Sequence, residues 1–297
     1  MIHLVNLYMS ESKTPKNKYP MSGKIEYDYN YNPKTTIVIN YFTSVDTMIK
    51  TIDRLRTLGD EVEIIVNNDK YGQDTEKIMK SLTHRNDRMV IANDLAERRG
   101  YHHGAQISNA SDYIIFCQDD DLAPDNNQWY LDCLKEFDND PKLGMIGLLK
   151  GGWNYSQPGN VTITDQFNKI YVSWLATGPL MIRKDLYFKI GGWSNEFSQV
   201  GEADGGADAD VATKVLLYGY KSMLLRSPSV REWYRRFERG DGLTNQTIKH
   251  SEARKSANQR IKLNNKIYYE KYQHNWNEIF QTVKKHNKEI DINMQLT

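Results

Sequence analysis

From residue 34 onward, short apolar runs rich in β-branched residues alternate with stretches whose apolar side chains recur every three or four positions. The first run, Thr35–Asn40, predicts a strand, and the spacing of Ile49, Ile52 and Leu55 predicts a helix with Ser44 as N-cap and Gly59 as stop. Val62–Val66 predicts a second strand ending in Asn67, Asn68 and Asp69, and Asp74 is placed to cap a short helix bearing Ile78, Met79 and Leu82. Met89–Ala92 predicts a third strand, followed by a polar segment from Asn93 to Ala110, and Tyr113–Cys117 a fourth. Trp129, Tyr130, Cys133, Leu134 and Phe137 then recur at helical spacing, a pattern that belongs first to a core-facing helix. Four strand-helix units in succession predict a mostly parallel central sheet covered on both faces, an α/β fold.

The second half is less regular. Residues 143–149 and 170–174 read as short strands, small residues crowd Gly201 to Ala209, and Asp210 opens a helix with Val211, Val215 and Leu216 that Gly219 stops. A further helix is predicted over 251–272. Residues 1–33 show no sustained periodicity and read as an extension. The division expected is therefore 1–33, a central domain over 34–230 with halves at 34–125 and 126–230, and a basic helical extension over 231–297.

A net charge of +1 over 297 residues gives no electrostatic case for nucleic acid or an anionic membrane as partner. The excess of Lys and Arg after Arg231 fits either a phosphate-rich ligand or a solvated face. Cys117 and Cys133, the two cysteines, lack metal-type spacing and read as small buried hydrophobes in a reducing compartment. No apolar run reaches the ~18 residues of a membrane span, and the start lacks a signal-peptide core. A soluble cytoplasmic protein is expected, which makes the sequons at Asn109, Asn154, Asn160 and Asn245 incidental.

The chemistry begins at Asp119, Asp120 and Asp121, directly after the fourth strand. Three adjacent carboxylates repel and raise one another's affinity for protons, a conflict that a cation relieves. Hard oxygen donors at the carboxyl end of a parallel strand suit Mg²⁺ or Mn²⁺, and such an ion suits a diphosphate-bearing substrate. The alternative is an acidic turn before the next helix, with Asp125 as its N-cap.

In co-linear order, the strand and loop at Asn40, the strand ending in Asn67-Asn68-Asp69, the turn at Asn93, the strand ending in the acids, Ile190-Gly191-Gly192-Trp193 and the acidic motif at Asp208 resemble glycosyltransferases of the GT-A fold, especially family 2, over residues 34–225. The resemblance implies the nucleotide-diphospho-sugar transferase fold and a nucleotide-diphosphate sugar donor lying over the first strands. By that analogy Asn40, Tyr41, Thr43 and Asp69 contact the nucleoside, while Asn93, Arg98 and Arg99 serve the diphosphate or the structure. Asp119 and Asp121 are the outer acids of a DxD motif: Asp121 ligates the metal, Asp119 contacts ribose or metal, and Asp120 lies with them. His250 is a possible further ligand; the family's earlier His position falls near Val230-Arg231-Glu232.

Gly206-Ala207-Asp208-Ala209-Asp210 resembles the family's ED-x-D signature, with Ala207 in place of its glutamate. Asp208 is then the base that deprotonates an acceptor hydroxyl, Asp210 caps the helix, and Glu202 and Asp204 are rivals. One base opposite the leaving group implies a single in-line displacement with inversion, and the resemblance implies a hexosyl- or deoxyhexosyltransferase acting on a glycan or glycoprotein. A retaining enzyme and a non-catalytic nucleotide-sugar-binding protein are the alternatives. Trp153, Trp174 and Trp193 are candidates for stacking on the acceptor, or for the core. A glycoside hydrolase needs no metal at a strand end, and a phosphotransferase of the Walker type needs a glycine loop that the chain lacks.

Overall fold

The computed structural model describes residues 31–84, 86–152, 167–198, 208–233 and 259–292, and the backbone of 3–4 and 252–258. Eleven strands are described: β1 (His3–Leu4), β2 (Thr35–Tyr41), β3 (Val62–Asn68), β4 (Arg88–Ile91), β5 (Tyr113–Gln118), β6 (Leu143–Gly147), β7 (Gly151–Gly152), β8 (Lys169–Tyr171), β9 (Trp174–Leu175), β10 (Leu180–Arg183) and β11 (Lys221–Leu225). With them go helices α1 (Val45–Leu55), α2 (Thr75–Ser81), α3 (Glu97–Gln106), α4 (Gln128–Asn139), α5 (Lys184–Lys189), α6 (Ala209–Leu217), α7 (Glu252–Tyr272) and α8 (Trp276–Lys288).

Nine strands form one sheet in the order β1-β4-β3-β2-β5-β10-β6-β11-β8, and β7 pairs with β9 apart from it. The β1–β4, β4–β3, β3–β2, β2–β5 and β6–β11 pairs are parallel; β10 runs antiparallel to β5 and β6, and β8 to β11. The sheet is thus mostly parallel, with an antiparallel insertion that the first half of the sequence does not announce. His3 and Leu4 add to the β4 edge, so the stretch read as an extension contributes a strand.

Alternate residues of β2 and β5 face opposite layers. Ile37, Ile39, Ile115 and Cys117 join Met48, Ile52, Ile78, Trp129 and Phe137 beneath α1, α2 and α4. Val38, Ile114 and Phe116 join Tyr101, Ala105, Tyr187, Val211 and Val215 beneath α3, α5 and α6. Two buried faces explain why the central residues of these strands, Ile37–Ile39 and Ile114–Cys117, are apolar at consecutive positions.

Helix α3 lies inside the segment read only as polar. Its inner face is made by Arg98, Gly100, Tyr101, Gly104 and Ala105, a set with little apolar periodicity. The two glycines let it lie close on the sheet: a Cβ at Gly104 would come within 2.3 Å of Val38, and one at Gly100 within 2.1 Å of Asn40 Oδ1. Two expected caps are also corrected. Asn127, not Asp125, holds the N-cap position of α4, because Asp125 is ion-paired to Arg54. Asp208 stands at the N-cap of α6, and Asp210 turns inward.

One buried acid at the amino end of β4 gives the fold a pH signature. Asp87 accepts the Ile64 amide at 2.9 Å and meets Arg56 at 3.2 Å, yet burial pushes its carboxyl from 3.8 up to about 6. The folded state therefore binds this proton more tightly than the unfolded one. The stability it gives is complete below pH 4 and is lost as pH rises through about 6, a change of about 3 kcal/mol. Asp87→Asn is expected to gain on the wild type by that order between pH 4 and 7 in denaturant melts; an equal difference at both pH values would refute it.

Candidate active site

Strands β2 and β5 are parallel neighbours, with β3 and β4 following on one side and β10 on the other. Their carboxyl ends lie where the strand order reverses, the place where open α/β sheets bind ligands. The β2 end runs into Phe42, Thr43 and Ser44, and the β5 end into Asp119, Asp120 and Asp121.

Asp119 ties these two ends together. Its Oδ2 accepts the backbone N–H groups of Phe42 at 2.9 Å, Thr43 at 2.6 Å and Ser44 at 2.8 Å. Those amides precede α1, and the Ser44 hydroxyl makes no cap bond and is buried without a partner among the described residues. A carboxylate from the neighbouring strand thus gathers the loop that leads into α1, taking its N-cap amide at the positive end of the helix.

Asp121 is buried: its Oδ2 accepts the Gln118 amide at 2.8 Å and its carbonyl accepts the Thr51 hydroxyl at 2.6 Å. Burial holds its carboxyl well above the ordinary range, and the charges of Asp120, Glu97 and Asp119 add to this. Gly178 backs onto it with φ +65°, where a Cβ would lie 2.7 Å from Oδ2. The Gln118 side chain donates to Glu97 Oε1 at 2.8 Å, which brings a fourth acid to the cluster. Glu97 escaped the sequence reading because it opens the helix that reading missed. The Tyr101 hydroxyl, one turn on and fully buried, is raised by burial and then by Glu97 and Asp121.

Asp208 approaches from the other half. Its Oδ1 accepts Arg98 Nη2 at 3.0 Å and the Thr177 hydroxyl at 3.4 Å. Thr177 and Gly178 are consecutive, so one short stretch of backbone touches both Asp208 and the Asp121 pocket.

The remaining expected residues divide sharply. Asn40 is buried and accepts the Asn67 amide at 2.6 Å; Tyr41 is buried and donates to Asp74 at 2.6 Å. Asp69 is buried, with Oδ1 accepting the Leu95 amide at 2.6 Å. These bonds tie the ends of β2 and β3 to each other and to the segments that follow them, and Asp69 does so through backbone. Thr43 and Asn93 are exposed, and Asp120 is half-buried. Arg99 donates to the carbonyls of Ser198 at 2.8 Å and Asn195 at 3.4 Å, so it holds a turn. Trp193 is also corrected: it is 5% exposed and packed among Phe116, Tyr101 and Tyr187. Trp174 is half-buried beside α6. Trp153, Glu202, Asp204, Ala207 and His250 lie outside the described residues.

For a divalent ion the donor chemistry fits. Asp119 and Asp121 are hard oxygen donors whose crowding a cation would relieve. Among the described residues no three His, Cys, Asp or Glu side chains form a metal-holding group. No helix of the described residues is long and apolar enough to cross a membrane.

The sequence model of the family described as glycosyl transferase family 2 matches residues 36–171, from β2 through the acids to β8. Within those residues, a little under half of the chain, the sequence is that of glycosyl transferase family 2. That stretch of the domain contains the crevice, the three aspartates and α3, while Asp208 lies beyond it. The domain is similar to a mannosyltransferase, PcManGT from Pyrobaculum calidifontis, in complex with GDP-Man and Mn²⁺, at 14% identity over 90% of this chain and 77% of that one, TM-score 0.48. It is similar to S. aureus TarS 1–349 at 13% identity over 86% of this chain and 83% of that one, TM-score 0.48. The same protein in complex with UDP aligns at 12% identity over 66% and 59%, TM-score 0.47. Similarity at this level assigns no residue roles. No curated protein matches the chain at a significant level.

Proposed function

We propose that the protein moves a hexosyl or deoxyhexosyl group from a nucleotide-diphosphate sugar to a hydroxyl of a glycan or glycoprotein, with inversion. The observation that carries this reading is the pairing of two carboxylate sites around one crevice. Asp119–Asp121 stand at the β5 end, and Asp208 stands at the start of α6, with Thr177–Gly178 touching both. In this reading Thr43 and the amides braced by Asp119 border the nucleoside, and half-buried Trp174 borders the acceptor.

Asp121 and Asp119 would hold Mn²⁺ or Mg²⁺, with His250 the candidate for a further ligand, and the ion would offset the charge of the departing diphosphate. Asp208 takes the proton of the acceptor hydroxyl as its oxygen bonds to the anomeric carbon and the bond from that carbon to the diphosphate oxygen breaks. Burial of the acids keeps bulk water from competing for the cation site. A cytoplasmic location belongs to the same reading; both cysteines are free thiols.

Thermal melts with UDP-glucose, GDP-mannose and dTDP-rhamnose, each with and without Mn²⁺, test it. At least one donor is expected to raise the midpoint only with the metal present, and product analysis then identifies nucleoside diphosphate release. Absence of a shift with all three would count against a nucleotide-sugar site; a shift without turnover would favour a binding protein.

A further inference from the structure

Arg98 occupies an unusual place for a cation. Its side chain is 4% exposed, on the inner face of α3. Nη1 donates to the carbonyl of Phe197 at 3.1 Å, and Nη2 reaches Asp208 Oδ1 at 3.0 Å. The Phe197 carbonyl also accepts Asn264 Nδ2 of α7 at 2.8 Å, and the neighbouring Arg99 holds Ser198 of the same turn. The carbonyl that receives Nη1 is therefore itself held in place, by α7 at Phe197 and by Arg99 at the next residue.

Asp208 does not set its own direction. It stands at the N-cap of α6 without a side-chain cap bond, and it is 39% exposed. Arg98 and Thr177 both donate to one of its oxygens, Oδ1. Among the described residues Oδ2 receives no donor. A carboxylate gripped through one oxygen keeps the lone pairs of the other available, in a plane set by the grip.

Resting on the reading of Asp208 as the base, we propose that Arg98 is its positioning residue: with Thr177 it holds Oδ1 and thereby presents Oδ2 to the acceptor hydroxyl. Arg98 contacts neither donor nor acceptor. A planar fork spans the Phe197 carbonyl and the carboxylate together, which the single ammonium of lysine does less well.

The test uses the full-length protein with Mn²⁺ and the same three sugar nucleotides, following released nucleoside diphosphate. Arg98→Gln is expected to lower kcat by about 30-fold with donor KM within about twofold, because displacing a base by an ångström costs rate and not ground-state binding. Thr177→Val is expected to lower kcat by about 5-fold, and Arg98→Lys to recover only part of the Arg98→Gln loss, about threefold of it, since a charge is restored without the fork. A merely structural role would lower the melting midpoint or the yield without separating kcat from KM. A folded Arg98→Gln protein with wild-type kcat overturns the proposal; should that variant not fold, an unchanged kcat in both Arg98→Lys and Thr177→Val does so. Asp208→Asn separates the two failures. If it stays active, or if no donor is turned over by the wild type, the base reading falls and the proposal with it. If it is inactive while the Arg98 and Thr177 variants keep full kcat, positioning alone is refuted.

Discussion

Asp208→Asn is expected to abolish transfer while leaving the donor bound. Loss of a general base lowers the rate by about 10²- to 10⁴-fold, and the amide that replaces it has almost the same shape. Its carbonyl oxygen can still accept Arg98 Nη2 and the Thr177 hydroxyl, so the grip on the side chain survives the substitution. Because 39% of the side chain is exposed, the new amide nitrogen has access to water and orphans no buried group. The proposed cation site belongs to a different strand, so metal-dependent donor affinity is expected to stay within about twofold of wild type, since separated sites act independently. Product formation under saturating donor, with donor affinity measured by calorimetry, checks both halves. Undiminished transfer by the Asn variant would strip Asp208 of its role and reopen the question for Glu202 and Asp204.

The alternation of β-branched strands and amphipathic helices up to α4 was legible because each strand there is buried on both faces and each of those helices on one. Helix α3 was not, since close packing on β2 replaces its apolar stripe with Gly100, Gly104 and a buried Arg98. The same close approach hid Glu97 and the Arg98–Asp208 pair, which join residues far apart in sequence. The place of the crevice could be read from polar residues collecting at strand ends. Which way each points could not. Asn40, Asp69 and Asp119 have the composition of ligand contacts, and all three are engaged by neighbouring backbone or amide groups. Trp193 fails as a platform for a related reason: the ring buries more area inside the Tyr101–Phe116–Tyr187 cluster than a surface position would allow. The apolar run before the acids placed them after the fourth strand, which ends at Gln118, while backbone bonds determine what each oxygen of Asp119 is free to do.

Asp119 and Asp121, two residues apart, are expected to respond to mutation with opposite signs. Asp121 is buried, its carboxyl raised by that burial and then by Asp120, Glu97 and Asp119, so its ionised form opposes folding when no cation is bound. A raised carboxyl adds stability below its ordinary range and loses it as pH climbs, which makes the deficit largest at neutral pH. Asp121→Asn keeps an acceptor for the Gln118 amide and removes the repulsion, so the metal-free protein is expected to gain about 1–3 kcal/mol at pH 7 and less at pH 4. Asp119→Ala does the reverse. It strips the acceptor from three amides bonded at 2.6–2.9 Å and removes the charge from the mouth of α1, a loss of about 2–4 kcal/mol. Both variants should lose Mn²⁺-dependent donor binding, one for want of a ligand and the other because the loop at Thr43 loses its brace. Denaturant melts without metal, set beside donor titrations with Mn²⁺, separate the two. If Asp121→Asn is less stable than the wild type at neutral pH and Asp119→Ala is not, the carboxylates have exchanged the roles that their hydrogen bonds assign, and Asp121 is the brace.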